Sequence, residues 1–174
     1  MIRKKRIWLS IKYFLYTLIL FILYAMQTTS GILEIGGIRP IWVLPFAMAL
    51  AMCEGVLAGA VFGALSGLLC DMGTQALFGF NGFLMLCGCV AISLLSIFLI
   101  KINWKSALLL GSGLAAARAL LEFFFFYLIW GYEDIYQVFF YSVCPMFVYT
   151  AALTPLFLLL VRHLKETCDS QWRE

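Results

Sequence analysis

Long apolar runs alternate with short polar breaks along the chain. Five runs stand out: residues 7–28, 41–70, 83–100, 107–131 and 135–161. Runs of about 20 apolar residues are typical of helices that cross a membrane. The run from 41 to 70 is longer than one such helix needs. It predicts either one long bent helix or two short helices joined at Glu54 and Gly55.

The positions of the basic residues favour two short helices in that run. Lys and Arg accumulate on the cytoplasmic side of membrane proteins. With six spans, ten of the twelve basic residues face the cytoplasm: five near the amino end, two in the loop with Lys101 and Lys105, and three in the tail. With five spans, the loop and the tail would carry five of them to the other side. The sequence therefore predicts both termini in the cytoplasm and six transmembrane helices: 7–28, 40–53, 55–70, 83–100, 107–131 and 135–161.

The second and third spans are short for a membrane. At about 1.5 Å per residue they would measure about 21–24 Å, which is less than a hydrocarbon core of about 30 Å. We expect them to form a tight hairpin inside the bundle, where other helices rather than lipid cover their ends.

The composition agrees with a single transmembrane domain over residues 1–174. Hydrophobic residues make up 64% of the chain, charged residues make up 12%, and the mean hydropathy is +1.01. Soluble domains are about half apolar and about a quarter charged. The net charge of +3 does not indicate nucleic-acid binding, because the basic residues lie at the ends of apolar runs rather than on one face. We expect a multi-pass plasma-membrane protein in contact with the lipid bilayer.

Glycine recurs every fourth residue in the stretch "EGVLAGAVFGALSGLLCD". Gly55, Gly59, Gly63 and Gly67 share one stripe of the third predicted helix. Each interior glycine costs a helix about 0.5–1 kcal/mol, whereas in a bilayer small residues four apart let two helix backbones approach closely. The stripe predicts close packing, either against the second, fourth or sixth span of the same chain or against a second copy or a partner's helix.

Charged residues within or beside the apolar runs are candidates for specific contacts. Arg118 and Glu122 lie four residues apart in the fifth span and can neutralise one another, as a structural pair or as a polar point facing a cavity or partner. Asp71 ends the third span, where the helix dipole disfavours a negative charge. It needs either a counter-charge, for which Arg39 at the start of the second span is a candidate, or a following helix to cap, towards "MGTQALF" over residues 72–78.

Aromatic residues crowd the end of the fifth span, in "FFFFYLIWGY" over residues 123–132. Trp and Tyr at the end of a span are typical of the membrane interface. A docking surface for the transmembrane helix of another protein is the alternative.

Motifs for catalysis, cofactors or metal binding do not emerge from the sequence. The six cysteines lie without a Cys-x-x-Cys spacing: Cys53, Cys70, Cys87, Cys89, Cys144 and Cys168. His163 stands in the tail with no carboxylate or cysteine at ligand spacing, and the sequence shows neither a glycine-rich phosphate loop nor a catalytic Ser motif. We therefore expect no enzymatic activity, no cofactor and no metal.

The segment "FGALSGLLCDMGTQALFGFNGFLMLCG" resembles the central signature of the MreD family, the rod shape-determining membrane proteins. In that signature a helix of small residues ends in Gly-Leu-Leu-x-Asp, and Gly-x-Asn and another apolar span follow. The matching positions here are Gly63, Gly67, Leu68, Leu69, Asp71, Gly79 and Asn81. Arg39 and Pro40 also resemble the start of the family's corresponding helix. The motif covers about 30 residues, and the remaining spans agree in character.

The resemblance implies a non-enzymatic scaffold in the plasma membrane of a bacterium. Proteins of this family act in cell elongation, lateral cell-wall (peptidoglycan) synthesis and rod shape, and they bind MreC. Directly or through MreC they interact with RodA and its class B penicillin-binding protein, and MreB lies on the cytoplasmic face. Their fold is related to the substrate-binding S components of energy-coupling-factor transporters, so a transporter subunit is the alternative function. Those components dock through small residues in the first helix, whereas the first span here, "YFLYTLILFILYA", is bulky.

Overall fold

The structure is a computed structural model that describes residues 2–29, 41–73, 78–99, 102–125 and 144–170. Regular secondary structure in these ranges is helical. The helices are α1 (Ile2–Thr28), α2 (Val43–Glu54), α3 (Val56–Met72), α4 (Phe80–Phe98), α5 (Trp104–Phe123) and α6 (Cys144–Ser170). Among the described residues, α1, α4, α5 and α6 are long and apolar enough to cross a membrane, whereas α2 and α3 are shorter apolar helices.

The run from 41 to 70 is two helices, as the placement of the basic residues predicts. Gly55 separates α2 from α3 with φ 92° and ψ −176°, a backbone conformation that is essentially confined to glycine. Open space surrounds a Cβ built at Gly55, so the backbone turn rather than crowding requires glycine there. At 12 and 17 residues, α2 and α3 measure about 18 and 26 Å.

Helix α2 forms the centre of the bundle. Every residue from Val43 to Met52 is buried, and α2 contacts each of the other five helices. A helix that is apolar on all sides is typical of such a position. The expectation of a hairpin inside the bundle holds for α2 and is wrong for α3, because Leu57 and Met72 on α3 are 81% and 70% exposed. Only one side of α3 is occupied by neighbouring helices.

The glycine stripe of α3 packs within the chain, against α4. A Cβ at Gly59 would lie 2.5 Å from Ser93 Oγ, and one at Gly63 would lie 2.8 Å from the backbone oxygen of Met85. At Gly67 the nearest atom is the backbone oxygen of Asn81, at 2.3 Å. The stripe is therefore filled by α4 along its length from Gly59 to Gly67, whereas Gly55 is the turn and not part of this packing.

Several helices begin or end at positions other than the sequence predicted; for example, α1 begins at Ile2 rather than at residue 7, and α5 begins at Trp104 rather than at residue 107. Helix α4 begins at Phe80 rather than at residue 83, because Asp71 caps its first turn. Helix α6 continues to Ser170, nine residues beyond the predicted end at 161. Its last turns contain the exposed ion pair of Arg162 and Glu166 at 3.7 Å, so the helix extends past the apolar stretch by presenting charged side chains to solvent. The predicted residues 135–143 lie outside the described ranges.

Candidate functional site

Asp71 caps the helix that follows it. Its Oδ2 accepts hydrogen bonds from the backbone N–H groups of Gly79 (3.0 Å) and Gly82 (3.1 Å), and its Oδ1 accepts one from Asn81 (3.2 Å). The side chain is buried, at 2% exposure. A carboxylate is disfavoured at the end of its own helix but favoured at the start of the next one, where free N–H groups and the helix dipole attract it. A capping role for Asp71 is thus observed, and the helix that it caps is α4, which begins at Phe80, beyond the residues 72–78 that the sequence suggested.

The local backbone explains how Asp71 reaches α4. Gly79 adopts a left-handed conformation, with φ 96°, immediately before the helix. This conformation favours glycine because a Cβ would be strained there. It turns the N–H groups of the first turn of α4 towards the end of α3. Two residues of the MreD-like motif, Asp71 and Gly79, therefore have a direct geometric role in the connection.

Asn81 links this cap to α5. Its side chain is fully buried, and its Oδ1 accepts a hydrogen bond of 3.0 Å from Nε of Arg118. Arg118 is 5% exposed, and its Nη2 lies 3.5 Å from Oε2 of Glu122, so the pair predicted from the four-residue spacing is present. Among the described residues, the side-chain Nδ2 of Asn81 has no hydrogen-bond partner. Asp71, Asn81, Arg118 and Glu122 are called the cap cluster below.

The close approach of α3 and α4 positions the cap cluster. A Cβ at Gly67 would also lie 2.6 Å from the Cα of Gly82, so only glycine at 67 lets α3 touch the backbone of the first turn of α4. That contact holds the end of α3 where the Asp71 carboxylate can reach three backbone N–H groups. The glycine stripe and the capping aspartate thus act on the same turn.

Arg39, Pro40 and the aromatic residues 126–132 lie outside the described ranges, so the alternative of an Arg39 counter-charge stays a prediction. Phe124 and Phe125 are described and are 49% and 40% exposed. Phe125 packs edge-to-face on Phe80 at 5.4 Å between ring centroids, beside the cap cluster.

A second polar cluster, which no sequence pattern predicted, lies at the other end of α3. Nζ of Lys12 lies 2.8 Å from Oε1 of Glu54, with the two side chains 7% and 8% exposed. The hydroxyl of the fully buried Tyr16 donates to the same oxygen at 3.1 Å. Lys165 from α6 donates to the backbone oxygen of Cys53. These four side chains, Lys12, Tyr16, Glu54 and Lys165, are called the tip cluster.

The tip cluster offered only a weak sequence signal. Lys12 lies inside the first apolar run, where a lysine is costly unless it has a partner. Glu54 lies at the predicted junction of two spans. No spacing relates them, because they are separated by more than 40 residues, so only the folded chain brings them together.

The described cysteines are free thiols at scattered positions. Within the described ranges, no three His, Cys, Asp or Glu side chains are grouped so that they could hold a metal ion. The chemistry of both clusters is that of hydrogen bonds and ion pairs between helices. In comparisons with known proteins, no family model, curated protein or solved structure matches this chain.

Proposed function

We propose that the chain is a non-enzymatic scaffold of the MreD kind in the bacterial plasma membrane. In this role it binds MreC and, directly or through MreC, supports RodA and its class B penicillin-binding protein in lateral cell-wall synthesis, with MreB on the cytoplasmic face. The observation that carries the proposal is the cap cluster. The motif residues Gly67, Asp71, Gly79 and Asn81 meet at the α3–α4 connection, where all but Gly79 are buried. The residues that carry the resemblance therefore act together, in a single capped connection between α3 and α4.

The proposal includes six spans with both termini in the cytoplasm. The short helices α2 and α3 then cross as a hairpin whose tip, at Glu54 and Gly55, lies near the cytoplasmic side, and the cap cluster lies towards the outside. Reporters fused after Lys105 and after Glu174 should read cytoplasmic, whereas one inserted at Glu133 should read external. A cytoplasmic reading at Glu133 would contradict the six-span arrangement.

Co-purification tests the scaffold role itself. A tagged copy of the chain, expressed from its own locus, should retain MreC from the same bacterium after solubilisation in mild detergent. Depletion of the chain should make rod-shaped cells round. Asp71→Ala should weaken both results, and Lys105→Ala, a change of an exposed residue outside both clusters, should leave them intact.

The transporter alternative predicts a different partner set. Recovery of an ATPase and a transmembrane coupling subunit in place of MreC, together with unchanged cell shape on depletion, would overturn the scaffold proposal. The neighbouring genes provide an independent check, since an adjacent gene for an MreC-like protein supports the scaffold and adjacent genes for transporter subunits oppose it.

A further inference from the structure

The side of α3 that faces away from the bundle carries a row of large apolar side chains. The row consists of Leu57, Val61, Leu65, Leu68 and Met72, each of which is at least 36% exposed. Spacings of three and four residues place these side chains on one face of the helix. This face is called the outer wall below.

The side chains of the outer wall suit lipid chains rather than a second protein helix. Helices approach closely in a bilayer where small residues line the contact. The small residues Gly59, Gly63 and Gly67 of α3 are already filled by α4, whereas the outer wall consists of leucine, valine and methionine. The stripe that could bind another helix is therefore used inside the chain, and acyl chains are the fitting occupant of the outer wall.

The outer wall is low compared with a bilayer. Leu57 and Met72 are 15 residues apart, which corresponds to about 22 Å along a helix. Even the whole of α3, at 17 residues, measures about 26 Å, whereas a hydrocarbon core is about 30 Å thick. The apolar stretches of α1 and α6 contain 21 and 25 residues and therefore measure about 31 and 37 Å.

The helix α3 cannot compensate for its shortness. At one end Gly55 turns the chain into the buried helix α2, and at the other end Asp71 binds backbone N–H groups of α4. Neither end is thus free to extend the helix. Tilting accommodates a helix that is too long for the bilayer, but it makes a short helix shorter across the membrane.

We propose that the outer wall is a lipid-binding surface that thins the bilayer beside α3 and prefers lipids with short acyl chains. The proposal rests on the proposed six-span arrangement, in which α3 crosses the membrane. Lipids beside a helix that is shorter than the hydrocarbon core are compressed, and short acyl chains need less compression. The thinning is local, because the apolar stretches of α1 and α6 are long enough for an ordinary bilayer.

The experiment measures which lipid contacts a tryptophan placed on the outer wall. Leu65→Trp, near the middle of α3, is reconstituted in phosphatidylcholine whose eighteen-carbon chains carry bromine, which quenches tryptophan fluorescence on contact. Unbrominated phosphatidylcholine with fourteen-carbon or eighteen-carbon chains is added as a competitor, and the signal of the natural chain is subtracted. At position 65 the fourteen-carbon lipid should relieve quenching at least about twofold more effectively than the eighteen-carbon lipid.

A matched control places the tryptophan on a long helix. Leu18 lies in the middle of the apolar stretch of α1 and is 46% exposed, compared with 39% for Leu65. In Leu18→Trp the fourteen-carbon lipid should have no advantage over the eighteen-carbon lipid. Val61→Trp provides a second position on the outer wall if Leu65→Trp fails to fold, and it should show the same preference as position 65.

Two outcomes would overturn the proposal. Equal competition by the two lipids at positions 61 and 65 would mean that the bilayer is not thinned beside α3. Failure of the brominated lipid to quench at either position would mean that a second copy or another protein covers the outer wall. Recovery of MreC is measured separately, so a failure of this proposal is distinguishable from a failure of the scaffold proposal.

Discussion

The cap cluster and the tip cluster lie at opposite ends of α3 and use a buried carboxylate in different ways. Asp71 binds backbone N–H groups of the next helix in the chain, only eight to eleven residues away. Glu54 binds the side chains of Lys12 and Tyr16, 42 and 38 residues earlier. The first carboxylate therefore fixes a connection between neighbours in sequence, and the second fixes the position of a distant helix.

This difference determines which residues can replace each carboxylate. A cap needs an acceptor of fixed shape at one point, because the backbone donors cannot move without moving α4. A side-chain pair needs opposite charges that meet, and it tolerates exchange of the two partners more readily. The carboxylate of the cap cluster should therefore tolerate fewer replacements than the carboxylate of the tip cluster.

The largest expected effect comes from Gly67→Ala, which tests the rigidity of the cap cluster. The new Cβ would lie 2.3 Å from the backbone oxygen of Asn81, and backbone cannot move aside as a flexible side chain can. We expect a loss of about 3 kcal/mol or more, as for severe overpacking, measured as the free energy of unfolding in detergent. Gly113→Ala is the matched control, because open space surrounds that helical glycine. It should be neutral or stabilising by up to about 1 kcal/mol.

The next effect comes from Asp71, where capping and pairing with Arg39 make different predictions. Asp71→Ala should cost about 2–3 kcal/mol, because it leaves three backbone donors, two of them buried, without a charged acceptor, and Asp71→Asn should cost less because one oxygen remains. Exchange of the two charges, with Arg39→Asp and Asp71→Arg together, should rescue nothing, since arginine cannot accept a hydrogen bond. Recovery of folded protein in the exchange variant would instead make Arg39 the main partner of Asp71.

The two clusters also differ in how far the sequence predicts them. Among the described helices, α1, α4, α5 and α6 follow from apolar runs, and the pair of Arg118 and Glu122 follows from helical spacing, because these signals are local. The division of residues 41–70 into α2 and α3 also required the distribution of basic residues along the whole chain. The glycine stripe indicated close packing, but the choice of α4 over a second copy depended on the fold. Two contacts were not predicted from the sequence: that of Asn81 with Arg118 and that of Lys12 with Glu54. These residues lie 37 and 42 positions apart, and no local pattern encodes contacts over such distances.

A smaller effect is expected from Arg118→Lys, which tests the link between the cap cluster and α5. Lysine keeps the positive charge near Glu122 but lacks the planar group that donates through Nε to Asn81. We expect a loss of about 1–2 kcal/mol, close to that of one hydrogen bond from a charged donor. Glu122→Gln should cost less, because Glu122 is 26% exposed and its oxygen is 3.5 Å from Arg118. If the two substitutions lower the free energy of unfolding equally, the hydrogen bond between Arg118 and Asn81 contributes no more than the ion pair with Glu122.

The smallest expected effect concerns Lys165, the part of the tip cluster that binds backbone. Its ammonium group donates to the carbonyl oxygen of Cys53 at the end of α2, where the helix dipole favours a positive charge. Lys165→Leu should therefore lower the free energy of unfolding by about 0.5–1 kcal/mol. The loss should be small because the hydroxyl of Ser93 still donates to another carbonyl oxygen near the end of α2, that of Ala51, at 2.7 Å. Lys165→Gln keeps a donor and should lie between the natural chain and the leucine variant, whereas Arg162→Gln, at an exposed position on the same helix, should have no measurable effect. A loss at Lys165 as large as that at Asp71 would mean that backbone capping is as demanding at the tip cluster as at the cap cluster, and the contrast between the two ends of α3 would not hold.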